Sequence, residues 1–186
     1  MDIKKAVFLD RDGVITEDPP HYAHRIDQVQ IIPGSADAIR LLNEGDFIVI
    51  VVSNQSGVAK GYYQEHDIRL FNDEMKRQLS LEGAYIDAEY YCPHHPEGII
   101  DRYRQECSCR KPQPGMLIQA AEEHQINLKA SFMIGDKFSD IVAGKSVNCR
   151  TIFVLTGHGK GEVSHLKGST VPVAVNLLNA VKEYII

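Results

Sequence analysis

Nothing constrains the fold of this chain more than the run Ala6-Val7-Phe8-Leu9-Asp10-Arg11-Asp12-Gly13-Val14. Its apolar part is continuous rather than alternating, which predicts a strand buried on both faces, as in a parallel sheet. The run stops at two aspartates one residue apart. Beyond the carboxyl end of such a strand lies the crevice where open α/β sheets bind ligands. The spacing starts Asp10 and Asp12 on the same side of extended backbone. Two carboxylates in one place repel unless a cation neutralises them or one takes up a proton. A hard divalent cation such as Mg2+ takes oxygen ligands, and Asp10 and Asp12 supply them. The plainer alternative is a solvated strand end with an Asp-Gly turn.

The same pattern recurs down the chain. Phe47 to Val52 is a second β-branched strand, ending in Ser53-Asn54-Gln55-Ser56-Gly57-Val58-Ala59-Lys60-Gly61. Ser53 can donate to an anionic oxygen, and successive backbone N–H groups there can form an anion-binding nest. Ile86 to Cys92 reads as a third strand. A fourth apolar run ends in Gly135-Asp136-Lys137-Phe138-Ser139-Asp140, and Ser139 or Asp140 is placed to cap the helix that follows to Val147. Arg150 to Leu155 is a fifth strand, ending in a mobile loop from Thr156 to Gly161. Residues 171–175 read as a short last strand.

Helical spacing joins these runs. Ser35 is placed to cap a helix that stops at Gly45, Gln64 to Leu81 is amphipathic, Pro112 and Pro114 introduce a helix from Met116 to His124, and residues 176–186 form the last. Between the first strand and Ser35, Pro19 and Pro20 mark a loop, and His24 to Ile32 suggests a short hairpin or flap. His21, Tyr22 and His24 could line a pocket there. Strand-helix alternation with polar chemistry at successive strand ends predicts an α/β fold. The expected form is a doubly wound parallel sheet with helices on both faces, one domain over residues 1–186.

Cys92-Pro93-His94-His95 and Cys107-Ser108-Cys109 interrupt the alternation. Cys92, His94, Cys107 and Cys109 have the composition of a closed structural Zn2+ site that would hold the polar loop 92–109 folded. His95 could replace His94, and free thiols are the alternative. Cys149 reads as a buried small apolar residue. Lys111 follows as a point charge suited to a phosphoryl oxygen or to Asp10, and Arg110 as a planar fork for a phosphate or sugar hydroxyls.

Composition narrows the class. The 186 residues carry a net charge of −5, which argues against nucleic acid as a partner. No apolar run is long enough to span a membrane. The first strand follows Met1 so closely that no secretory signal precedes it, which predicts a cytoplasmic chain. Four cysteines fit thiols or metal ligands there rather than disulfides. The expected partner is a small molecule, and the expected state a monomer. Three acids, a hydroxyl, a lysine and a divalent cation at one sheet edge fit phosphoryl transfer.

Asp10-x-Asp12-Gly13, Ser53, Lys111 and Gly135-Asp136 with Asp140 resemble, in order, the four motifs of the haloacid dehalogenase (HAD) superfamily of phosphatases. With Cys92-Pro93-His94-His95-Pro96 and Cys107-x-Cys109-Arg110-Lys111-Pro112-x-Pro114-Gly115-Met116, the chain is similar to the D-glycero-D-manno-heptose 1,7-bisphosphate 7-phosphatases, relatives of the histidinol-phosphatase domain. Val14 and Ser53 stand where many members carry threonine. The resemblance implies a HAD-like sheet without a large cap and a Mg2+-dependent release of the C7 phosphate of a phosphosugar, within the making of nucleotide-activated heptose for lipopolysaccharide or S-layers. It implies Asp10 as nucleophile, Asp12 as general acid and base, Ser53 and Lys111 on the phosphoryl group, and Mg2+ on Asp10, Asp136 and the backbone of Asp12. Lys137 and Asp140 would lie near the metal. Substrate recognition would fall to Arg11, Asp18, Tyr22, Asn54, Gln55, Ser56, Arg110 and Lys137. A histidinol-phosphate phosphatase, a receiver-like phosphoacceptor domain and a zinc-stabilised binding module are the alternatives.

Overall fold

A computed structural model describes residues 4–20 and 22–186. His21, named above for the pocket, lies outside them. Six strands form one parallel sheet in the order β3-β2-β1-β4-β5-β6: β1 Ala6–Leu9, β2 Ile48–Asn54, β3 Ala88–Cys92, β4 Phe132–Gly135, β5 Arg150–Val154 and β6 Val173–Ala174. The apolar run of β1 takes the centre because both its faces are covered. Val7 and Leu9 pack with α1 (Ser35–Glu44), α2 (Glu65–Leu81) and α6 (Leu177–Tyr184). Ala6 and Phe8 face the opposite layer with α3 (Gly115–His124). On that side α4 (Phe138–Ser146) lies so close that a Cβ on Gly144 would press on Met133 and Thr151. Burying each such leucine or phenylalanine stabilises the fold by about 1.5–3 kcal/mol. Cys149 is buried in this layer, and burial pushes its thiol up to about 12.

Three local expectations are corrected. Ser35 is the first residue of α1 rather than its cap; Gly34, at φ 86°, takes that place, and the Ser35 hydroxyl donates to the Val14 carbonyl at 3.1 Å. The expected mobile loop after β5 contains a helical turn, α5 (Gly159–Glu162). The flap before α1 is held by pairing of Glu17 N–H with the Gln30 carbonyl and of Ile32 N–H with the Ile15 carbonyl, both 2.9 Å. Its far end is a 3-10 turn, Ile26–Gln28. No helix among the described residues is long and apolar enough to cross a membrane.

Candidate active site

The carboxyl ends of β1, β2 and β4 meet at the centre of the sheet, where the strand order reverses. Asp10 follows β1 directly, and its backbone N–H donates to the Ile134 carbonyl at 3.0 Å, which pins it between β1 and β4. Lys111 reaches the same point from the segment before α3. Its Nζ lies 3.0 Å from Asp10 Oδ1 and 2.7 Å from Asp140 Oδ1, and it donates to the Val52 carbonyl at 2.7 Å. Asp10, Asp136 and Asp140 are buried with their oxygens within 4.8 Å of one another. Burial raises the Asp10 carboxyl, but the Lys111 and Lys137 ammonium groups outweigh it and hold Asp10 below its ordinary value. Burial and then the Asp10 carboxylate push Asp136 up to about 8. Burial pushes Asp140 up to about 6 against the pull of Lys111.

Backbone, not side chains, shapes the cradle of Asp136. Its Oδ2 accepts the His158 N–H at 2.7 Å, and a Cβ on either Gly13 or Gly157 would collide with that oxygen. Both glycines have positive φ, so both the turn and the close approach require glycine there. The other oxygen, Oδ1, is buried without a hydrogen-bond partner. A buried carboxylate oxygen left bare beside two further acids is what a bound cation would satisfy.

Asp12 stands at the crevice wall. Its Oδ2 accepts from Gln55 Nε2 at 2.9 Å, and the same Nε2 lies 2.6 Å from Ser53 Oγ. Tyr63 donates to Gln55 Oε1 at 2.7 Å, which orients the amide. The crevice encloses about 530 Å3 and is lined by Asp12, Asp18, Tyr22, Asn54, Ser56, Lys60, His95, Arg110, Lys111, Lys137 and His158 among others. It is a polar hollow with cationic groups on its walls, one of which, Lys111, pairs with the buried nucleophile candidate Asp10.

Comparison with known proteins agrees with this geometry. A family model described as "HAD-hyrolase-like" matches residues 108–180. A D-glycero-beta-D-manno-heptose-1,7-bisphosphate 7-phosphatase of Pasteurella multocida is 46% identical over 156 residues, 83% of this chain and 84% of the relative. The Escherichia coli K12 protein of the same name is 43% identical over 82% of this chain and 80% of its own length. The chain belongs to this family of heptose-bisphosphate phosphatases. It is similar in structure to the crystallised D,D-heptose 1,7-bisphosphate phosphatase of B. bronchiseptica, complexed with magnesium and phosphate, at a TM-score of 0.87 and 31% identity over 96% of this chain and 97% of that one. The fold is HAD-like, and the protein is a phosphoric monoester hydrolase.

Not every residue expected at the substrate faces the phosphatase crevice. Arg11 is corrected: it is buried beneath the site, with its guanidinium on Asp12, Asn72 and the Ala23 carbonyl. Gln55 is buried as well and acts on Asp12 and Ser53. Asn54 lines the crevice but spends both side-chain atoms on Lys111, donating to its carbonyl at 2.9 Å and accepting its N–H at 3.0 Å. Asp18, Tyr22, Ser56, Arg110 and Lys137 line the crevice. Asp18 Oδ2 accepts from Lys137 Nζ at 3.2 Å and pairs with His158 Nε2 at 2.9 Å, tying the flap to the loop after β5. Tyr22 Oη accepts from Lys60 at 3.1 Å. His24 stacks on Tyr63, with ring centroids 4.9 Å apart, instead of reaching the crevice. Lys60, His95 and His158 are crevice residues that sequence spacing alone does not single out.

Beside the phosphatase crevice, Cys92, His94, Cys107 and Cys109 converge. Their sulfurs lie 3.2–3.4 Å apart, too far for a disulfide, and His94 Nδ1 lies 3.7 Å from Cys92 and 3.5 Å from Cys109. His95 turns away and accepts the Glu97 N–H on Nδ1 at 3.1 Å. Three thiols and an imidazole supply the four ligands of a closed metal site. Arg110 Nη1 donates to the His94 carbonyl at 3.3 Å, so the cluster holds that wall of the crevice.

The raised carboxyls of Asp136 and Asp140 predict a stability that depends on pH. A carboxyl whose folded value is raised stabilises the fold below its unfolded value and loses that contribution as pH climbs to the folded one. For Asp136 the window runs from 3.8 to about 8. Phosphatase prepared without divalent metal is therefore expected to gain Tm as pH falls from about 8 to about 6, and Asp136→Asn to flatten that slope. Calorimetry at the two pH values checks this.

Proposed function

We propose that this phosphatase hydrolyses the C7 phosphate of D-glycero-beta-D-manno-heptose 1,7-bisphosphate through an aspartyl-phosphate. The observation that carries the reading is the buried Asp10 between Asp136 and Lys111, a residue of the cationic crevice, in a chain 46% identical to an enzyme named for that substrate. In the first step Asp10 forms a bond to phosphorus while the bond from phosphorus to the sugar oxygen breaks, and Asp12 gives that oxygen its proton. In the second, water attacks the same phosphorus, Asp12 takes the water proton and Asp10 leaves. Ser53 and Lys111 hold the non-bridging oxygens. The ammonium groups that keep Asp10 ionised also keep it available as a nucleophile.

The bare Oδ1 of Asp136 and the carboxylate of Asp10 fit Mg2+, with the Asp12 carbonyl as the family resemblance implies. The ion would neutralise charge between nucleophile and phosphate. The thiol-imidazole cluster fits Zn2+ in a structural role. We place the enzyme in the cytoplasm as a monomer of one domain, in the making of nucleotide-activated heptose for lipopolysaccharide or S-layers.

Phosphate release with Mg2+ tests the reading, comparing kcat/KM for both anomers of the bisphosphate and for histidinol phosphate. The β anomer is expected to lead by about tenfold or more. A lead for histidinol phosphate would move the chain to the sister activity on the same residues.

A further inference from the structure

Arg11 is among the largest fully buried side chains of the protein, at 1% exposure. A buried guanidinium has to be neutralised and hydrogen-bonded. Here the ion partner is its own neighbour in sequence. After Asp10 the chain turns back on itself, with the N–H groups of Ile15 and Thr16 both donating to the Arg11 carbonyl at 2.9 and 3.0 Å. That turn lets adjacent side chains meet. Arg11 Nε donates to Asp12 Oδ1 at 2.9 Å and Nη2 to Asp12 Oδ2 at 3.0 Å, a two-pronged grip on one carboxylate. The fork is itself locked. Nη1 donates to Asn72 Oδ1 at 2.9 Å, Nη2 also donates to the Ala23 carbonyl at 3.1 Å, and the guanidinium carbon lies 4.2 Å from the centroid of the Phe71 ring. Asn72 is buried too, on α2, so the guanidinium is anchored to that helix.

We propose that Arg11 is a positioning residue that fixes the Asp12 carboxyl for proton transfer, and that Asn72 and Phe71 act through it. The inference rests on the proposed mechanism, since it assigns Asp12 both protonation of the leaving sugar oxygen and deprotonation of the attacking water. A carboxylate gripped by Arg11 on both oxygens, with Gln55 on Oδ2 and Thr16 Oγ1 3.4 Å from Oδ1, keeps one rotamer at the wall of the crevice that Asp12 lines. Lysine at position 11 would keep a positive charge but lose the planar fork.

Arg11→Lys separates position from charge. With a sugar phosphate, whose alkoxide must be protonated to leave, kcat is expected to fall about a hundredfold. With 4-nitrophenyl phosphate, whose phenolate leaves unaided, the first-turnover burst of nitrophenolate should persist, while the later steady rate falls because water is no longer deprotonated efficiently. Equal losses in the burst and in both steady rates would mean a merely structural role and would overturn the proposal. So would a variant as active as wild type. Asn72→Ser leaves Arg11 in place while loosening the fork, and is expected to show the same split at smaller amplitude. It keeps the test open should Arg11→Lys fold poorly, and a uniform loss or none overturns the proposal there as well. Asp12→Asn run in parallel separates the two levels of inference: if it too is fully active, the role given to Asp12 fails, and with it the role of Arg11. If Asp12→Asn is inactive but the Arg11 and Asn72 variants show no split, only the positioning role fails.

Discussion

Asp10→Asn lowers kcat by about four to six orders of magnitude, the scale on which loss of a nucleophile acts. The amide cannot open a covalent path, and no other carboxylate can replace it. Asp140 is spent on Lys111 and on the Lys137 N–H, and Asp136 is held in its glycine cradle with Oδ2 on the His158 N–H. The fold should tolerate the change, because Lys111 keeps Asp140 and the Val52 carbonyl as partners. Two measurements decide it. Acid-quenched wild type incubated with labelled substrate should retain phosphate on the protein, and the variant should not. Activity in Asp10→Asn above about one hundredth of wild type, far beyond what survives loss of a nucleophile, would remove the covalent mechanism.

Cys109→Ser, or treatment with a chelator that competes for the thiol cluster, is expected to lower Tm by about 10 °C. The loop from His95 to Glu106 offers little apolar surface of its own; Ile99 is 70% exposed. Its anchors are the N–H groups of Ile99 and Ile100 on the Ala59 carbonyl, at 2.8 and 3.0 Å, and the Tyr103 hydroxyl on Glu65. In a chain of this size a shift of that order corresponds to about 3–5 kcal/mol of folding energy held by the cluster. Below the new Tm the kinetic loss should fall on KM more than on kcat. Arg110 is tied to the His94 carbonyl and would lose its place, whereas Lys111 is held from the sheet side by Asn54 and Val52. Differential scanning calorimetry and steady-state kinetics with Mg2+ resupplied read both effects. A fall in kcat alone would show that the cluster serves the phosphoryl group and not the crevice wall.

The strand ends were legible in the sequence because each announces itself in the same way: an unbroken apolar run halted by Asp10, Ser53 or Asp136. One-dimensional periodicity suffices when both faces of a strand are buried. Placing Lys111 needed its neighbours, since two basic residues in a row are ordinarily a solvated pair. Arg11 escaped the reading because nothing local marks a buried arginine: the turn after Asp10, the ring of Phe71 and the amide of Asn72 come together only in three dimensions. Asn54 escaped for a related reason, since an amide beside a phosphate site looks like a substrate contact until its partner 57 residues away is seen. Choosing His94 over His95 required the direction each ring takes. Gly34 displaced Ser35 as the cap because the chain enters α1 at positive φ, a conformation serine adopts only at a cost.

Asn54 grips Lys111 by both its N–H and its carbonyl, so the lysine is registered to β2 whatever path the chain takes before it. The loop between His94 and Cys107 is thereby released from the chemistry and becomes an exchangeable part. Lengthening or shortening it between the two ligand pairs leaves the charge at Asp10 in place and changes the far wall, where Arg110 and His95 stand. Insertions and deletions there are expected to change substrate range with the strand-end motifs left intact. Grafting a relative's loop between His94 and Cys107 is the direct way to retarget the enzyme.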